Sequence, residues 1–410
     1  MRDGVVVVGA GQAGVQVADA LRERGYSGPI TLVAGEPDPP YSRPPVSKEM
    51  LVADTPVEPL RPASFYREQG ITLVPAPARR IDRDSRTVHI SGGMVARYDH
   101  LVLATGARAR GLDLPHADLP GVLTLRTAED ARALRAYLRP GARIVVLGGG
   151  FIGLEVASAA RAQGADVVLV ERGRRLLARA VSETTSAAVA EHHRATGVRV
   201  ALGEQIAGLV GERGRVTAVR TGSGRVLAAD AVVVGIGAVP DDELARSAGL
   251  PTQSGVLVDQ WLTTVDPRIS AIGDCAAVRE PLTGAITRLE SVQNAADQAR
   301  FVADLLTGGT SRPYRALPWF WSDQGTLRLQ MVLRSPHHDR TVTVRNGART
   351  SVLRFGEGLL TGVESINDPA THQAARRLLG HAAPSQAELA EVDHDVKVLA
   401  RRVHQEQRVA

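Results

Sequence analysis

Two glycine-rich segments in this chain have the residue types and spacing that bring a backbone close to a pyrophosphate. The first follows the apolar run VVVV and the second follows IVVL. Their glycines are Gly9, Gly11 and Gly14 in the first segment, and Gly148, Gly150 and Gly153 in the second. Each segment should continue as a helix and a second strand, which end on Glu36 and Glu171 respectively. An acid roughly 20 residues after the glycines completes the dinucleotide-binding pattern.

Each part of this pattern has its own chemical task. Glycines allow close backbone approach, and the start of the following helix offers unpaired N–H groups and a partial positive charge to phosphate oxygens. The acid accepts hydrogen bonds from a ribose. Because the chain carries the complete pattern twice, it is predicted to bind two dinucleotides. A nicotinamide nucleotide with a flavin is the natural pair for redox chemistry.

The elements that position these residues predict an α/β fold. Residues 4–34 are predicted to form strand, helix and strand, and short strands continue through residues 71–107. The second glycine-rich unit then carries the chain to about Gly237. The later segments VLVDQWLTT, ISAIGDCA and NAADQARFVADLLTG belong to neither unit, which indicates that the second domain interrupts the first.

The remaining residues predict a third domain. Alternating strands follow Pro318, and two helical pieces are expected at residues 369–380 and 386–403, which together are typical of an α+β domain. The predicted fold is therefore two Rossmann-like dinucleotide-binding domains, the second inserted in the first, plus a C-terminal α+β domain. The predicted boundaries are 1–107 and 238–317 for the interrupted domain, 108–237 for the inserted domain and 318–410 for the last.

The composition excludes several classes of protein. With 44% hydrophobic and 23% charged residues, the 410-residue chain is typical of globular proteins with two or three domains. No apolar run approaches the roughly 20 residues of a membrane span, and a strand begins too early for a signal peptide, so a cytoplasmic location is expected. The single cysteine, Cys275, excludes an internal disulfide and a CxxC redox pair. The adjacent histidines at 192–193 and 337–338 lack metal-ligand spacing and are interpreted as surface residues, so no metal site is predicted.

The charge leaves two interpretations open. The net charge is +5, and of 49 basic residues only Lys48 and Lys397 are lysines. The excess of arginine is either a solvated surface or a basic face for an acidic partner. No segment resembles a nucleic-acid-binding module. Asp274 is similarly ambiguous, because a strand that ends in Gly-Asp suits a polyol such as ribitol, whereas an Asp there could also cap a following helix.

The chain resembles the flavin-dependent ferredoxin reductases of the putidaredoxin reductase and biphenyl dioxygenase reductase type, which serve oxygenase and cytochrome P450 systems. The resemblance covers almost the whole chain, and the segments RPPVSK and FWSDQ are its most specific parts. The segments that carry it are GAGQAG, PPYSRPPVSK, LVLATGARAR, LRTAEDA, VVLGGGFIGLEVA, GIGAVP, AIGDCA, RLESVQNAADQAR and PWFWSDQ.

The resemblance implies that the interrupted domain is the FAD domain and that the NAD domain is inserted in it. It also implies a set of residues that hold FAD. These are Gly9, Gly11, Ala13, Gly14, Glu36, Arg43, Lys48, Thr105, Gly106, Arg126, Asp274 and Val292. The glycines and Ala13 would hold the pyrophosphate, and Glu36 would bind the adenosine ribose. Asp274 would bind the ribitol, and the backbone of Val292 would hydrogen-bond to the pyrimidine end of the flavin. The family often has a second acid where this chain has Gly35.

A second set is implied for the nicotinamide nucleotide. It comprises Gly148, Gly150, Ile152, Gly153, Glu155, Glu171 and Gly237. A carboxylate at Glu171 repels a 2′-phosphate, so NADH is expected in preference to NADPH, although Arg172, Arg174 and Arg175 follow directly. Glu155 would lie beside the nicotinamide carboxamide and pair with Lys48; alternatively, it is a glutamate that favours the dipole of its helix.

Three further side chains belong to residue types that are rare in this chain. Lys48 stands in RPPVSK although arginine dominates elsewhere, which favours a requirement for a compact ammonium group near the flavin over an ordinary surface lysine. Trp319 and Trp321 are two of only three tryptophans. Trp319 is interpreted as part of a packed domain joint. Trp321 is interpreted as a wall of the face through which electrons leave.

The implied function is an NADH-dependent reductase that passes electrons through FAD to a [2Fe–2S] ferredoxin of a P450 or Rieske-type oxygenase. The ferredoxin would be an acidic, transient partner that docks near Arg312, Arg315 and Arg334, and the reductase would be a monomer or weak dimer. A disulfide reductase or NADH oxidase of the same superfamily is one alternative, but such an enzyme needs a redox-active cysteine beside the flavin. The only cysteine here is Cys275 in AIGDC, where the family gives it no redox role. An apoptosis-inducing-factor-like protein is the remaining alternative.

Overall fold

A computed structural model of the chain describes residues 3–279, 285–315, 317–335, 337–381 and 383–409. The helices are α1 (Gln12–Glu23), α2 (Glu49–Val52), α3 (Ala63–Glu68), α4 (Ala128–Arg135), α5 (Phe151–Ala162), α6 (Glu183–Ala195), α7 (Glu243–Ser247), α8 (Val292–Leu306), α9 (Pro369–His381), α10 (Gln386–Ala390) and α11 (Val396–Val409). The strands up to the end of the second glycine-rich unit are β1 (Val5–Val8), β2 (Ile30–Val33), β3 (Ile71–Val74), β4 (Ala78–Asp82), β5 (Thr87–Ile90), β6 (Met94–Arg97), β7 (His100–Leu103), β8 (Ala107–Ala109), β9 (Val122–Thr124), β10 (Arg143–Leu147), β11 (Asp166–Glu171), β12 (Arg199–Leu202), β13 (Ile206–Glu212), β14 (Arg215–Thr221), β15 (Val226–Ala228) and β16 (Ala231–Val234). The later strands are β17 (Ala238–Pro240), β18 (Val256–Val258), β19 (Ile269–Ala271), β20 (Ala276–Arg279), β21 (Ile286–Thr287), β22 (Trp319–Gln324), β23 (Leu327–Leu333), β24 (Arg340–Asn346), β25 (Arg349–Gly356) and β26 (Leu359–Ile366).

The chain divides into two compact units, each built from separate stretches of sequence. The first unit comprises Met1–Pro45, Pro56–Arg108 and Ala238–Ala316, and the second comprises Val46–Thr55, Ala109–Gly237 and Leu317–Ala410. The predicted α/β fold class with parallel sheets is confirmed. The division differs from the predicted domains because residues 46–55 and the C-terminal residues group with 109–237. It assigns no cofactor, so the FAD and NAD roles of the domains stay predictions.

The core of the first unit is a parallel sheet of order β19-β7-β1-β2-β3. Every residue of Val5–Val8 is buried, as expected for a continuous apolar run in a strand covered on both faces. Helices α1 and α8 pack on each other. Because the strands are parallel, the segments that follow β1, β2, β7 and β19 all emerge at one edge of this sheet.

The second unit contains an equivalent parallel sheet of order β12-β11-β10-β16-β9. Its central strands β10 and β16 pair along Ile144–Leu147 and Ala231–Val234, all of them fully or almost fully buried. The glycine-rich turn follows the central strand β10, as the turn of the first unit follows β1. An antiparallel sheet of order β13-β14-β15 extends this part of the unit.

The C-terminal part of the second unit is an antiparallel sheet of order β22-β23-β26-β25-β24, against which α9 packs. The first of these strands contains the motif WFWSDQ, which the sequence analysis did not predict to be a strand. Its Ser322 and Gln324 are buried while Asp323 between them is partly exposed, so the motif follows the two-residue period of a strand.

The prediction of a single helix over residues 386–403 is wrong. Residues 386–403 form two helices, α10 and α11, because Asp393 and His394 adopt positive φ angles of 49° and 61°, which a right-handed helix cannot include. Asp395 then accepts a hydrogen bond from the Lys397 N–H at 2.8 Å and so caps the start of α11. Within the described residues, none of the helices is long and apolar enough to cross a bilayer.

The sheet of the first unit contains one largely buried histidine that makes its stability depend on pH. His100 on β7 shares a 3.0 Å hydrogen bond with Ser270 on β19, and burial lowers the pKa of His100 from 6.5 to about 4. The unfolded chain therefore binds a proton between these pH values that the folded chain does not. The stabilisation is complete above pH 6.5 and is lost as the pH falls toward 4.

We expect His100→Gln to remove this part of the acid sensitivity. Glutamine keeps a hydrogen-bonding group but does not titrate, so the wild type should lose roughly 3 kcal/mol more unfolding free energy than the variant on acidification. Urea unfolding at a series of pH values measures the difference. Parallel pH dependence in the two proteins would contradict the assignment.

Candidate functional site

The turn that follows β1 is held tight by contacts between main-chain atoms. Gly9 has a φ of 108°, and a Cβ there would lie 2.1 Å from the Ala104 carbonyl oxygen. A Cβ on Gly14 would lie 1.8 Å from the Gly9 carbonyl oxygen. Both positions therefore require glycine for reasons internal to the protein, since any larger residue would overlap backbone atoms.

The turn that follows β10 repeats the arrangement. Gly148 has a φ of 102°, and its Cβ would lie 2.4 Å from the Gly235 carbonyl oxygen. A Cβ on Gly153 would lie 2.1 Å from the Gly148 carbonyl oxygen. The two units thus satisfy the same steric condition with separate residues.

The middle glycine of each turn is different, because nothing in the protein requires it. Gly11 and Gly150 have extended backbones, and a Cβ at either position would meet no protein atom within 4 Å. Each lies directly before a 12-residue helix, α1 or α5, whose first N–H groups have no partner within the helix. Open space in front of a helix N-terminus is what the pyrophosphate of a dinucleotide needs, so both turns fit such a group.

Other predicted residues of the first unit emerge at the same sheet edge as its glycine turn. Thr105 and Gly106 follow β7, and the Thr105 hydroxyl donates to the Asp241 carbonyl oxygen at 2.5 Å. Gly273 follows β19, and a Cβ there would lie 3.1 Å from the Ala13 Cβ. The neighbouring Asp274 therefore lies beside the first turn of α1.

The alternative interpretation of Asp274 as a helix cap is wrong. The next element after the short turn Gly273–Cys275 is strand β20, not an α-helix. Val292, the other residue predicted on this side, is the first residue of α8. Its N–H lies at a helix start, where the helix itself supplies no acceptor, and the Ser291 hydroxyl caps the Asn294 N–H at 3.0 Å.

Glu36 and Arg43, both of which were predicted to contact FAD, lie together. The Glu36 carboxylate accepts hydrogen bonds from the Arg43 guanidinium and, at 2.7 Å, from the Tyr41 hydroxyl. The Arg43 guanidinium also lies 5.2 Å from the centre of the Tyr41 ring. The structure thus gives Glu36 a fixed orientation and adds Tyr41, which the sequence analysis did not select.

The Glu171 side chain at the end of β11 is held by main-chain N–H groups of two nearby glycines. Its carboxylate accepts hydrogen bonds from the Gly149 N–H at 2.6 Å and the Gly173 N–H at 2.5 Å. Of the three arginines that follow, Arg175 donates to the carbonyl oxygens of Ala178 and Val181, both at 2.7 Å. The Arg175 guanidinium is therefore hydrogen-bonded to its own loop.

Gly237 and Arg126 occupy the ends of neighbouring strands in the second unit. Gly237 follows β16 with a φ of 117°, and its carbonyl oxygen accepts a hydrogen bond from the Arg110 N–H at 2.9 Å. Arg126 follows β9, and its main-chain N–H donates to the Asp130 carboxylate at 2.8 Å. In the second unit the structure therefore brings Gly148, Glu171, Gly237 and Arg126 to one sheet edge.

Glu155 on α5 is the centre of a buried polar cluster in the second unit. It is 4% exposed, and its Oε2 accepts hydrogen bonds from the Lys48 ammonium at 2.8 Å and from the Ser47 hydroxyl. Its Oε1 accepts a hydrogen bond from the Ser322 hydroxyl at 2.6 Å. The expected pair of Glu155 and Lys48 is present. The alternative, a first-turn glutamate that favours the helix dipole, is not supported, because the first turn of α5 contains no acidic residue and the buried Glu155 carboxylate has three donors of its own.

The polar cluster continues to a histidine that was expected on the surface. His193 is fully buried, and its Nε2 lies 2.8 Å from Gln324 Oε1. The expectation of a surface residue is therefore wrong for His193, because the last turn of α6 faces β22. Its neighbour His192 is partly exposed and contacts the Gln324 main-chain oxygen at 3.1 Å. Among the residues that the structure describes, no cluster of His, Cys, Asp or Glu could hold a metal ion.

Trp319 and Trp321 lie on the same side of β22. Their rings stack with centroids 5.6 Å apart, and the Arg376 guanidinium lies 4.0 Å from the centre of the Trp319 ring. His372 is buried against the same ring, and burial lowers its pKa to about 4. Both tryptophans remain partly exposed, so the pair offers a rigid aromatic surface within the second unit.

The chain matches known families over most of its length. Residues 3–299 match the family described as pyridine nucleotide-disulphide oxidoreductase, and residues 319–400 match the reductase C-terminal family. The chain belongs to the pyridine nucleotide-disulphide oxidoreductase family. It is therefore an oxidoreductase that depends on FAD and a nicotinamide nucleotide, and the predicted cofactors are confirmed.

Individual relatives narrow the type of member. The chain is 47% identical over 405 residues to rhodocoxin reductase of Rhodococcus erythropolis, which covers 97% of this chain and 94% of the relative. It is 40% identical to the rubredoxin–NAD(+) reductase of Pseudomonas putida over 89% of this chain and 96% of the relative. The crystal structure of the ferredoxin reductase for the CYP199A2 system of Rhodopseudomonas palustris superposes with a TM-score of 0.93, at 42% identity, over 97% and 100% of the two chains. The resemblance drawn from the sequence is confirmed.

The disulphide in the family's description has no counterpart in this chain. Cys275 is the only cysteine, it is buried, and its thiol contacts the Leu103 and Ile272 carbonyl oxygens at 3.5 and 3.3 Å. Burial raises the pKa of Cys275, which disfavours the reactive thiolate. This family member therefore has no dithiol through which electrons could pass.

The residues that sequence analysis missed lie mainly in one motif. Ser322 and Gln324 belong to FWSDQ, and the two-residue period of a strand would have placed both on one buried face. His193 carried no such signal, because its partner Gln324 lies 131 positions away in the sequence.

We expect two alanine substitutions in the first glycine turn to affect different properties, one the stability of the apoprotein and the other its FAD content. Gly14→Ala should lower the unfolding free energy of the apoprotein by about 3 kcal/mol or more, because its Cβ overlaps a carbonyl oxygen. Gly11→Ala should leave apoprotein stability unchanged and reduce the FAD content. Thermal unfolding and bound-flavin absorbance measure the two effects. Gly150→Ala and Gly153→Ala form the matched pair in the second turn, and a destabilised Gly11→Ala apoprotein with normal FAD content would contradict the assignment.

Proposed function

We propose that this protein is a FAD-dependent NADH:ferredoxin reductase, in which the first unit holds FAD and the second binds NADH. The observation that carries the proposal is the presence of two dinucleotide-binding turns in a chain that has one buried cysteine. The chemistry that a bound FAD would supply is acceptance of a hydride from NADH and release of single electrons to an iron–sulfur acceptor. The protein's own residues then have to bind and orient the two cofactors.

The first unit supports tight binding of FAD. Gly11 and the start of α1 would receive the pyrophosphate, and Asp274 beside Ala13 would accept hydrogen bonds from the ribitol. The Glu36 carboxylate, held by Arg43 and Tyr41, would accept hydrogen bonds from the adenosine ribose. The main-chain groups of Thr105, Gly106 and Val292 would complete the site, because they emerge at strand ends or at a helix start.

The second unit supports exchangeable binding of a nicotinamide nucleotide. Gly150 and the start of α5, including Ile152, would receive the pyrophosphate. The Glu155 carboxylate would orient the nicotinamide carboxamide, while Lys48 balances its charge. A buried carboxylate keeps its orientation without water, which favours precise placement of the reacting ring.

NADH is the proposed nucleotide. The Glu171 carboxylate, fixed by the Gly149 and Gly173 N–H groups, would accept hydrogen bonds from the 2′-hydroxyl and repel a 2′-phosphate. Arg175 donates its hydrogen bonds to carbonyl oxygens of its own loop, whereas Arg172 and Arg174 are exposed.

A small acidic [2Fe–2S] ferredoxin of an oxygenase or cytochrome P450 system is the proposed acceptor. Relatives are named for rhodocoxin, for rubredoxin and for the ferredoxin of a P450 system, so an electron-carrier protein is common to them. The net charge of +5 suits an acidic partner, and Arg312, Arg315 and Arg334 are exposed. The Trp321 ring is the proposed wall of the exit face.

The acceptor is tested by NADH-driven reduction of a [2Fe–2S] ferredoxin, a rubredoxin and a small neutral quinone, each also with NADPH. We expect the ferredoxin to be reduced fastest, NADH to be preferred, and the ferredoxin rate to fall steeply with salt while the quinone rate stays level. A faster rate with rubredoxin would reassign the partner. NADH consumption that no carrier protein accelerates would contradict the proposed function.

The two lysines of the chain provide a matched test of the Glu155 site. Lys48→Met should slow flavin reduction by NADH about tenfold or more, because the buried carboxylate loses its balancing cation and its orientation. Lys397→Met makes the same chemical change outside the cluster and should keep the wild-type rate. Anaerobic stopped-flow absorbance of the flavin measures both, and equal rates in the two variants would remove Lys48 from the site.

A further inference from the structure

A continuous chain of buried polar side chains connects helix α6 to Glu155 within the second unit. It runs from His193 Nε2 to Gln324 Oε1 at 2.8 Å, from Gln324 Nε2 to Ser322 Oγ at 3.1 Å, and from Ser322 Oγ to Glu155 Oε1 at 2.6 Å. His193, Gln324 and Ser322 are each 0% exposed. We call these three residues the relay residues.

The proton positions in this chain follow from donor chemistry. The Glu155 carboxylate carries no proton when it pairs with Lys48, so the Ser322 hydroxyl must donate to it. That hydroxyl has one hydrogen, so the contact from Gln324 must be donated by the amide nitrogen. The amide oxygen then accepts, and His193 must carry its proton on Nε2. Every donor in the chain therefore points toward the carboxylate.

Hydrogen bonds that all donate in the same direction strengthen one another. Hydrogen bonds in a series polarise one another, and in a water-free interior each bond is electrostatically stronger than in water. This series of hydrogen bonds ends on Oε1 of Glu155, and it adds to the Ser47 and Lys48 contacts on Oε2. Both oxygens of Glu155 are thus fixed, and rotation of the carboxylate would break one set of bonds.

The state of His193 agrees with this direction. Burial lowers the pKa of His193 below its ordinary value, so the ring is neutral and has one N–H to donate. Its Nδ1 is buried without a hydrogen-bond partner among the described residues, so the polar contact of this ring is made through Nε2. A leucine or methionine would fill the same space without leaving a bare nitrogen, which argues that the N–H itself is used.

We propose that His193, Gln324 and Ser322 are positioning residues that orient Glu155, and through it Lys48, for the reaction of the nicotinamide nucleotide. The inference rests on the proposed function, because Glu155 has been assigned there to the nicotinamide ring, with Lys48 as its balancing cation. The series of hydrogen bonds acts by orienting and polarising the Glu155 carboxylate. It is not assigned a proton transfer, because the Gln324 amide separates His193 from Ser322.

The test compares variants of His193 that differ in one hydrogen bond. His193→Met fills the site but cannot donate, whereas His193→Gln keeps an N–H that can reach the Gln324 oxygen. We expect His193→Met to lower the rate of flavin reduction at saturating NADH about tenfold, with little change in the NADH concentration for half-saturation, and His193→Gln to restore most of the rate. His192→Met is the matched control, because His192 contacts the main-chain oxygen of Gln324 and the edge of the His193 ring but makes no side-chain hydrogen bond within the series. Its rate should equal that of the wild type.

A spectroscopic readout tests the chain without turnover. Nitrogen-15 NMR of the histidine-labelled holoprotein should show His193 as a neutral ring protonated on Nε2, and Ser322→Ala should shift the Nε2–H resonance although the two residues are not in contact. A charged ring at neutral pH or a proton on Nδ1 would overturn the inference.

The outcomes separate this inference from the proposed function. If the wild type is reduced by NADH and His193→Met reacts at the same rate, the relay residues only hold α6 against β22, and the inference falls while the function stands. The same conclusion follows if His193→Met and His193→Gln lose equal rate and equal thermal stability. If NADH does not reduce the flavin of the wild type, the proposed function fails and the inference fails with it.

Discussion

The fold depends on one steric condition, the contact of a helix backbone with the carbonyl oxygen of the preceding turn. Gly14 meets Gly9 in this way, and Gly153 meets Gly148. Because no Cβ intervenes, the chain can pass from a central strand into a helix within a few residues, and the helix start then points along the carboxyl edge of its parallel sheet. All the other predicted cofactor residues at these edges are useful only because the helix start lies there. The third glycine therefore determines the site although it faces the protein interior.

The two units satisfy this condition in the same way and differ in what surrounds it. In the first unit the neighbouring side chains include Asp274 and the pair of Glu36 and Arg43, which suit sugar hydroxyls. In the second unit the following helix contributes Glu155, a buried carboxylate whose two oxygens are held by separate donors. A permanently bound cofactor needs many contacts along its length, whereas an exchangeable one needs its reactive ring placed accurately. The difference between the units agrees with the proposed assignment of FAD to the first unit and NADH to the second.

Sequence reasoning succeeded where the chemistry is local. The apolar runs of the parallel strands and the glycine spacing are read over a few residues, and the structure contains them at the expected positions. It failed where the cause is distant or conformational. The strand Trp319–Gln324 was treated only as a motif, and the positive φ angles at Asp393 and His394 that divide the last helical region leave no composition signal. The burial of His193 depends on a strand far along the chain, so no local pattern could indicate it.

The central claim is that electrons from a nicotinamide nucleotide reach a single flavin in a protein that has no dithiol. Anaerobic titration of the FAD-containing protein with NADH tests it most directly. We predict that the absorbance of oxidised flavin disappears at one NADH per FAD and does not change with further additions. A flavin that NADH leaves oxidised would contradict the account, and so would consumption of two NADH per FAD, because that result would require a second two-electron centre that Cys275 alone cannot provide.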